Sequence, residues 1–443
     1  MNRRLMMLGA VAAVVTGVAS TTANANPMRA RLADTLHAVP APSAADRANV
    51  ERLERDLADD SMEGRGTATP GGARAARFLA TEMKKIGLKA GGDSGYFQRV
   101  PMMDPPAAAG GAGGNAGGRG RGRGAGGAGG ARPTPPPTPD ECLAKAPDDA
   151  TMARIKTLQA SIDSAAAKSV NTPIGPGHDG GGGPMRPLPV RLPSLADRDT
   201  VPADRQRTAV NVVGIIPGGD PVLKNEVVLV LSHYDHLGRV NDHQGCRPVG
   251  ADSLCNGADD DGAGTVAVLE VARLLKKAGT PRRTIVFANM TGEEIGLVGT
   301  NYFIAHPPFP LAQIVAGFEI EMIGRPDAYA GGPGKAWLTG YERSTMGDML
   351  KQYGIAIVPD MRPDQRFFKR SDNYGLAQRG IVAHTLSTFN LHSDYHYASD
   401  EVNKVDFDHM TAVIHSAAEA VRHLADGPKP EWHTGCNPAH PGE

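Results

Sequence analysis

Short apolar, β-branched runs alternate with amphipathic helical patterns in the C-terminal half of the chain. We predict strands at 209–216, 226–232, 284–289, 314–322 and 381–387, and helices at 262–278, 343–353 and 406–424. Strands of this kind, alternating with helices, are typical of an α/β sheet buried between helical layers. The predicted fold class is therefore α/β, and polar residues at the strand ends are candidates for a site.

Glycine and proline, 55 and 35 of the 443 residues, are distributed unevenly. Residues 101–140 are about half Gly and Pro, and 171–194 are again rich in both. Such segments cannot offset their chain entropy by apolar burial. We therefore expect 101–207 to be a largely disordered insert that contains one helix, at 148–169.

The segment before this insert has two further helical patterns, at 45–60 and 71–86, and Gly87 is placed to end the second. We interpret 26–100 as a helical lead-in that packs on a catalytic domain at 208–443.

The first 25 residues have the features of a secretory signal peptide. Arg3 and Arg4 precede an apolar run at 5–18, and Ala23-Asn24-Ala25 matches the small-x-small cleavage pattern. The run is shorter than the about 20 residues that span a bilayer. We expect export to the periplasm or medium, cleavage of 1–25, and no membrane attachment afterwards.

Charge and aromatic content argue against nucleic acid as a partner. Lys and Arg number 47 against 48 Asp and Glu, which gives a formal charge of -1, and aromatic residues are 5% of the chain. There is no basic surplus to attract phosphates and little to stack on bases.

Four cysteines in an exported chain permit two disulfides, in three connectivities. Cys246 and Cys255 are close in sequence and flanked by loop residues, so we favour their pairing, which leaves Cys142 and Cys436. The spacings do not suggest a cysteine-based zinc site.

Histidines and carboxylates follow the predicted strands. His233 and Asp235 come directly after strand 226–232, and Asp259, Asp260 and Asp261 open the helix after it. One Asp would suffice to cap a helix. Three adjacent carboxylates repel one another unless cations lie among them.

The later strands show the same pattern. Glu293 and Glu294 follow strand 284–289, Glu319 and Glu321 share one face near the end of 314–322, and His396 follows 381–387. Each of these features alone has an ordinary explanation, such as a solvated Glu pair. Together they supply nitrogen and oxygen ligands without thiolates, which fits zinc, manganese or cobalt.

The motifs Ser-His-Tyr-Asp-His-Leu-Gly, Gly-Ala-Asp-Asp-Asp-Gly-Ala-Gly, Gly-Glu-Glu, Glu-Met-Ile-Gly and Asp-Tyr-His-x-x-x-Asp, spread over about 208–425, resemble the co-catalytic di-zinc exopeptidase family. That family includes bacterial leucyl aminopeptidases, glutamate carboxypeptidase II and zinc-dependent glutaminyl cyclases. The resemblance implies a three-layer α/β/α sandwich with a mixed, mostly parallel sheet, and two Zn²⁺ ions, with Mn²⁺ or Co²⁺ as substitutes. The protease-associated domain of some relatives is expected to be absent, because 101–207 has no run of strands.

The resemblance also implies individual roles. His233 and Glu321 would hold one zinc and Glu294 and His396 the other, with Asp260 bridging them. Glu321 stands where many relatives have Asp, so Glu319 remains an alternative. The remaining transferred roles are Asp235 as a partner of His233, Glu293 as general base, Tyr395 at the oxyanion, Asp259, Asp261 and Asp400 as orienting or capping groups, and Ser371-Asp372 as a structural motif.

These roles imply hydrolysis of a peptide by a water held between the metals, with Glu293 carrying its proton. We favour an aminopeptidase over a metallocarboxypeptidase or another di-zinc amidohydrolase, because no Arg cluster lies near the motifs. Deacylases with a lid domain need more than the 27 residues from Glu294 to Glu321 and the 75 from there to His396. A non-catalytic binding module would be expected to lose a ligand or Glu293, and none is missing. The oligomeric state is not determined by the sequence.

Overall fold

The computed structural model describes residues 38–106, 142–169, 188–242 and 245–442. The expected signal peptide and the Gly/Pro-rich residues 107–141 and 170–187 lie outside the described residues. All contacts given below are within the unit Leu36–Glu443. None of the helices in the described ranges combines the length and apolar character needed to cross a bilayer.

The strands, numbered in chain order, are β1 Lys89–Ala90, β2 Phe97–Met103, β3 Val190–Arg191, β4 Gln206–Ile216, β5 Val227–His233, β6 Gly238–Arg239, β7 Leu254–Cys255, β8 Thr284–Met290, β9 Ile314–Glu321, β10 Ala336–Leu338, β11 Ile357–Pro359 and β12 Ala383–Ser387. The α-helices are α1 Ala44–Leu57, α2 Pro70–Ile86, α3 Asp149–Ser169, α4 Leu195–Asp199, α5 Gly264–Lys277, α6 Val298–Ala305, α7 Met346–Gln352, α8 Asn373–Ala377 and α9 Phe407–Asp426.

The main sheet has the strand order β11-β10-β12-β9-β5-β8-β4-β2-β3, and β1 pairs with β4. Its centre, β12-β9-β5-β8, is parallel throughout. On one flank β4 runs antiparallel to β8 and β2, and on the other β10 runs antiparallel to β12. The carboxyl ends of four neighbouring strands therefore meet at one edge of the sheet.

Helices cover both faces of this sheet, and every residue of its central strand β5 is therefore buried. Val228 and Val230 pack in one apolar cluster with residues of α1, α2, α5 and α9. Leu229 and Leu231 pack on the opposite face, with residues of α6 and α8. Each fully buried side chain of this size contributes about 1.5–3 kcal/mol to folding. The predicted α/β class, with a mostly parallel centre between helical layers, is confirmed.

The ends of the lead-in helices follow from local sequence. Ser43 and Asp46 form a reciprocal capping box at the start of α1. Helix α2 begins with Thr69 as N-cap and Pro70 in its first turn, and it ends at Gly87, which has a left-handed conformation. The predicted end of this helix at Gly87 agrees with the structure.

Within 101–207, the structure describes α3, β3 and α4. Helix α3 begins one residue after the predicted start at 148, and its Ile155 is buried. Nearby, Cys142 is joined to Cys436 by a disulfide with a Cα–Cα distance of 5.6 Å. The favoured disulfide between Cys246 and Cys255 is also present, with a Cα–Cα distance of 5.7 Å.

Candidate metal centre

The sheet topology brings the ligands predicted from separate motifs to one edge. His233 is the last residue of β5 and Glu321 the last of β9, its parallel neighbour. Glu294 follows β8 on the other side of β5, and His396 lies in the loop after β12. Asp260 reaches the same place from the turn before α5.

Asp260 lies between two groups of candidate ligands. Its Oδ1 is 3.5 Å from His233 Nε2, and the same nitrogen is 3.8 Å from Glu321 Oε1. Its Oδ2 is 3.3 Å from His396 Nε2, which in turn is 3.3 Å from Glu294 Oε2. The two oxygens of one carboxylate thus face two separate nitrogen–oxygen pairs.

A second histidine of the first motif, His236, also belongs to this centre. Its Nδ1 is 2.9 Å from Glu294 Oε1 and 3.8 Å from Asp260 Oδ2. His236, Asp260 and Glu294 offer ligand atoms within 4.8 Å of one another, as do His233, Asp260 and Glu321. No role was predicted for His236 from the sequence, although it stands three residues after His233 in the same motif.

The donor atoms fit divalent cations. His233 Nε2, Asp260 Oδ2 and His396 Nε2 are buried, and within the described ranges they have no hydrogen-bond partner. Burial favours a neutral ring for His396, yet Asp260 and Glu294 raise its pKa to about 10. Imidazoles and carboxylates that converge in this way are the ligands expected around zinc.

Glu293 is adjacent to this centre and lines the cavity beside it. Its backbone amide donates to Asp235 Oδ1 at 3.1 Å. Burial raises the pKa of the Glu293 carboxyl well above its ordinary value, and the charges of Glu294 and Glu321 add to the effect. Glu293 thus lies beside both nitrogen–oxygen pairs and belongs to neither.

Asp235 is fully buried and fixes several neighbours. It accepts from Thr67 Oγ1 at 2.8 Å as well as from the Glu293 amide, and its Oδ1 is 3.8 Å from His233 Nδ1. The shorter contact of that imidazole nitrogen, 3.1 Å, is with the backbone carbonyl of Asp235. Asp235 therefore orients His233 mainly through its backbone, while its carboxylate positions Glu293 and binds the lead-in segment.

The two Asp residues that flank Asp260 are bonded to the backbone. Asp261 accepts from the amides of His233, Gly264 and Met322 at 2.9–3.3 Å. Asp259 accepts from the Gly324 amide at 2.7 Å and contacts His392 Nε2 at 3.0 Å.

Asp400 fixes the same turn from a different loop. Its Oδ2 accepts from the amides of both Asp259 and Asp260, each at 3.0 Å. Its Oδ1 accepts from the Arg325 guanidinium at 2.8 Å. The orienting role expected for Asp400 fits these contacts.

Glu319 and Glu321 have different surroundings. Glu319 is fully buried and accepts from Ser371 Oγ and Thr385 Oγ1, both at 2.8 Å, and from the amides of Asp372 and Asn373. Glu321, two residues later, lies beside His233. Glu319 therefore binds the Ser371-Asp372 loop, and Glu321 faces the metal centre.

Arg65 of the lead-in segment contacts the backbone of the loops that carry the candidate ligands, on the side away from the centre. The side chain is fully buried, and it donates to the carbonyls of Tyr234 at 2.8 Å, Asn256 at 2.6 Å and Gly257 at 2.7 Å. These carbonyls belong to the loop after β5 and to the turn that carries Asp260. The lead-in thus holds the two loops at a fixed separation.

The cavity beside the centre is bordered by aromatic side chains. Tyr395 stacks on His396 with a ring separation of 3.8 Å and packs against Phe389 at 5.0 Å. Its ring lines the cavity next to Glu293. The other lining residues are Asp260, Glu321, Met322, Trp337, Thr339, Phe367, Arg370, Thr385, Ser387 and Phe389.

Comparison with known proteins identifies relatives of this segment. Residues 211–421 match the model of peptidase family M28. Leupeptin-inactivating enzyme 1 of Streptomyces exfoliatus is 32% identical over 27% of this chain and 24% of its own length. A probable leucine aminopeptidase 2 of Aspergillus fumigatus is 31% identical over 41% of this chain and 34% of its own length. The matched segments thus span about a quarter to a third of these two relatives.

Among solved structures, a zinc aminopeptidase from Bacillus subtilis has a TM-score of 0.50 at 16% identity, and the match covers 86% of this chain and 95% of that one. At this identity the likeness shows a common fold. The resemblance inferred from the motifs is confirmed by the family match.

Proposed function

Since residues 211–421 match the model of peptidase family M28, we propose that this chain is a zinc-dependent aminopeptidase that removes the N-terminal residue of peptides. The observation that carries the proposal is the position of Asp260, whose two oxygens face two separate nitrogen–oxygen pairs. A carboxylate shared in this way suits two cations that act on one substrate. The aminopeptidases among the relatives support the substrate class.

The proposed ligand set follows the two pairs. His233 and Glu321 would hold one zinc ion, Glu294 and His396 would hold the other, and Asp260 would be a ligand to both. Two zinc ions, when bound, supply the positive charge that acidifies a water and polarises the scissile carbonyl. His236 donates to Glu294 and fixes the orientation of that carboxylate, as partners of metal ligands commonly do.

The residues of the chain carry the protons. Glu293 takes a proton from the attacking water and later delivers it to the leaving amine. Its bond to Asp235 keeps its backbone next to β5, which supports this role. The Tyr395 hydroxyl donates to the oxyanion that develops on the scissile carbonyl.

The proposed setting is outside the cytoplasm, after removal of residues 1–25, with a peptide as the substrate. The two disulfides support an oxidising compartment.

A peptide-library digest tests the reaction class. Peptides with free N-termini should lose one residue at a time from that end, and their N-acetylated counterparts should resist, because the site requires a free amine. Release of residues from the C-terminal end of acetylated peptides would overturn the aminopeptidase assignment and favour a metallocarboxypeptidase.

A further inference from the structure

The cavity beside the metal centre combines carboxylates with a single cation. Asp260, Glu293 and Glu321 contribute carboxyl groups to its lining, whereas Arg370 is the only Lys or Arg among the described residues that line it. Arg370 comes from the loop after residues 367–369, far in sequence from the ligand motifs. The proposed function has no role for this side chain.

The wall on which Arg370 rests is held in place from behind. Arg362 donates twice to the buried carboxylate of Asp327, at 2.7 Å in each contact. Asp327 also accepts from Trp337 Nε1 at 2.8 Å. Trp337 in turn stacks on Phe367, with ring centroids 5.1 Å apart and an interplanar angle of 19°. The indole and phenyl rings therefore form a fixed surface inside the cavity.

Arg370 is oriented by this surface and retains its donors. Its guanidinium carbon lies 5.1 Å from the centroid of the Phe367 ring, a cation–π contact. Within the described ranges no carboxylate lies at ion-pair distance from it, whereas Arg325 is paired with both Asp394 and Asp400. Stacking leaves the planar edge of a guanidinium available for a ligand.

Charge defines the kind of ligand. Asp260, Glu294 and Glu321 face the proposed positions of two divalent cations, which would offset their negative charge. Arg370 has no carboxylate at ion-pair distance among the described residues, so its positive charge has no such partner. A guanidinium in that situation favours a carboxylate, which it can bind through two parallel hydrogen bonds.

We propose that Arg370 binds a free carboxylate of the substrate next to the scissile bond, and so selects acidic over neutral substrates. This inference rests on the proposed function. The carboxylate has two sources: the side chain of an N-terminal Glu or Asp, or the C-terminal carboxylate of a dipeptide.

Two matched substrate pairs distinguish these sources with the zinc-loaded enzyme. Glutamyl and glutaminyl aminoacyl reporters differ only in the side-chain carboxylate. Leu-Gly and Leu-Gly amide differ only in the C-terminal carboxylate. A hydrogen-bonded charge contributes about 1.5–3 kcal/mol, so kcat/KM should favour the acid in one pair by about 10–100-fold.

Arg370→Met should remove that preference, and Arg370→Lys should retain only part of it, because Lys keeps the charge and lacks the planar fork. Arg366→Met is the matched control, since Arg366 is exposed in the same loop and is not part of the cavity lining; it should keep the wild-type ratio. The proposal would be overturned if the wild-type ratio of kcat/KM, acidic over neutral, were near one in both pairs, or if Arg370→Met left that ratio unchanged. Hydrolysis of the neutral substrates would still support an aminopeptidase in either case.

Calorimetric titration with L-glutamate and L-glutamine provides a readout that does not depend on turnover. If the side chain is the source, wild-type protein should bind L-glutamate about 10–100-fold more tightly, and Arg370→Met should bind both equally. If the C-terminal carboxylate is the source, Leu-Gly should bind about 10–100-fold more tightly than Leu-Gly amide. This pair is titrated with the catalytically impaired Glu293→Gln variant, so that the dipeptides are not cleaved during the measurement. Equal affinities in both pairs would reject the role of Arg370, whether or not the enzyme cleaves peptides.

Discussion

Two adjacent layers of the site use the same residue types for different purposes. The proposed metal-facing layer, called the metal-facing layer below, consists of His233, Asp260, Glu294, Glu321 and His396. The supporting layer consists of Asp235, Asp259, Asp261, Glu319 and Asp400. Each carboxylate of the supporting layer accepts from backbone amides. In the other layer, the buried atoms His233 Nε2, Asp260 Oδ2 and His396 Nε2 have no hydrogen-bond partner among the described residues.

The three consecutive Asp residues show the contrast within one turn. Asp259 and Asp261 accept from amides at the end of β5, in the loop after β9 and at the start of α5. Asp260 between them presents its oxygens to His233 and His396. A carboxylate that accepts from backbone amides thus stabilises the fold, whereas a carboxylate without amide donors is available to a cation. Variants in the two layers should consequently fail in different ways.

Removal of metal should have the largest effect on hydrolysis, because the metal-facing layer is proposed to act through the bound ions. A chelator should abolish hydrolysis, and zinc or cobalt should restore it. Metal analysis of the active protein should approach two ions per chain. Full activity in a protein shown to be free of metal would contradict the proposed centre.

Glu293→Gln should come next, with kcat lowered by about 10²–10⁴ because the proton carrier is lost. Both ions should remain bound, since Glu293 is not in either ligand pair. Glu294→Gln is the matched control: it should lower metal content, because an amide is a weaker ligand than a carboxylate. Normal turnover by Glu293→Gln would require a different base.

His236→Phe removes the donor that orients Glu294 and keeps a ring of similar size. The affinity for one of the two ions should fall by about 10–100-fold, as measured by competition with a zinc-binding dye. His392→Phe is the corresponding change behind Asp259, in the supporting layer, and should leave metal affinity near the wild-type value. Equal losses of metal affinity in His236→Phe and His392→Phe would contradict the distinction between the two layers.

Glu319→Gln should have the smallest effect on metal content. It leaves buried donors from Ser371 and Thr385 poorly matched, so the free energy of unfolding should fall by about 1–3 kcal/mol, measured by denaturant titration. Metal content should stay at the wild-type level, in contrast to Glu321→Gln, which should lower it. If the two variants lost metal equally, Glu319 would belong to the metal-facing layer.

The sequence predicted the core of the fold well, because fully buried parallel strands are long apolar runs. Strand β5 is displaced by one residue from the predicted 226–232, and β8 is one residue longer than the predicted 284–289. Strands β10 and β11 were not predicted, since three residues have too little pattern. The antiparallel direction of β4 depends on tertiary pairing that local pattern does not reveal.

The site was predicted unevenly for the same reason. Residues two apart on a strand share a face, so periodicity alone could not separate Glu319 from Glu321; the amides of the Ser371-Asp372 loop do so. The part that His236 plays depends on the distance to Glu294, 58 residues later. Arg370 was not predicted, although it directly precedes the Ser371-Asp372 motif, because its place in the cavity depends on packing against the Phe367 ring.

The Cys142–Cys436 disulfide, which joins residues 294 positions apart, has a consequence for proteolytic processing. A single cut anywhere from 143 to 435 would yield two fragments that remain covalently linked and migrate together in non-reducing electrophoresis. A cut at 107–141 would instead release an N-terminal fragment without any cysteine, which includes Arg65 and Thr67. Only non-covalent contacts, among them the ion pair between Asp46 and Arg273, would then retain this fragment on the rest of the chain. The outcome of a single cut therefore depends on which side of Cys142 a protease cleaves.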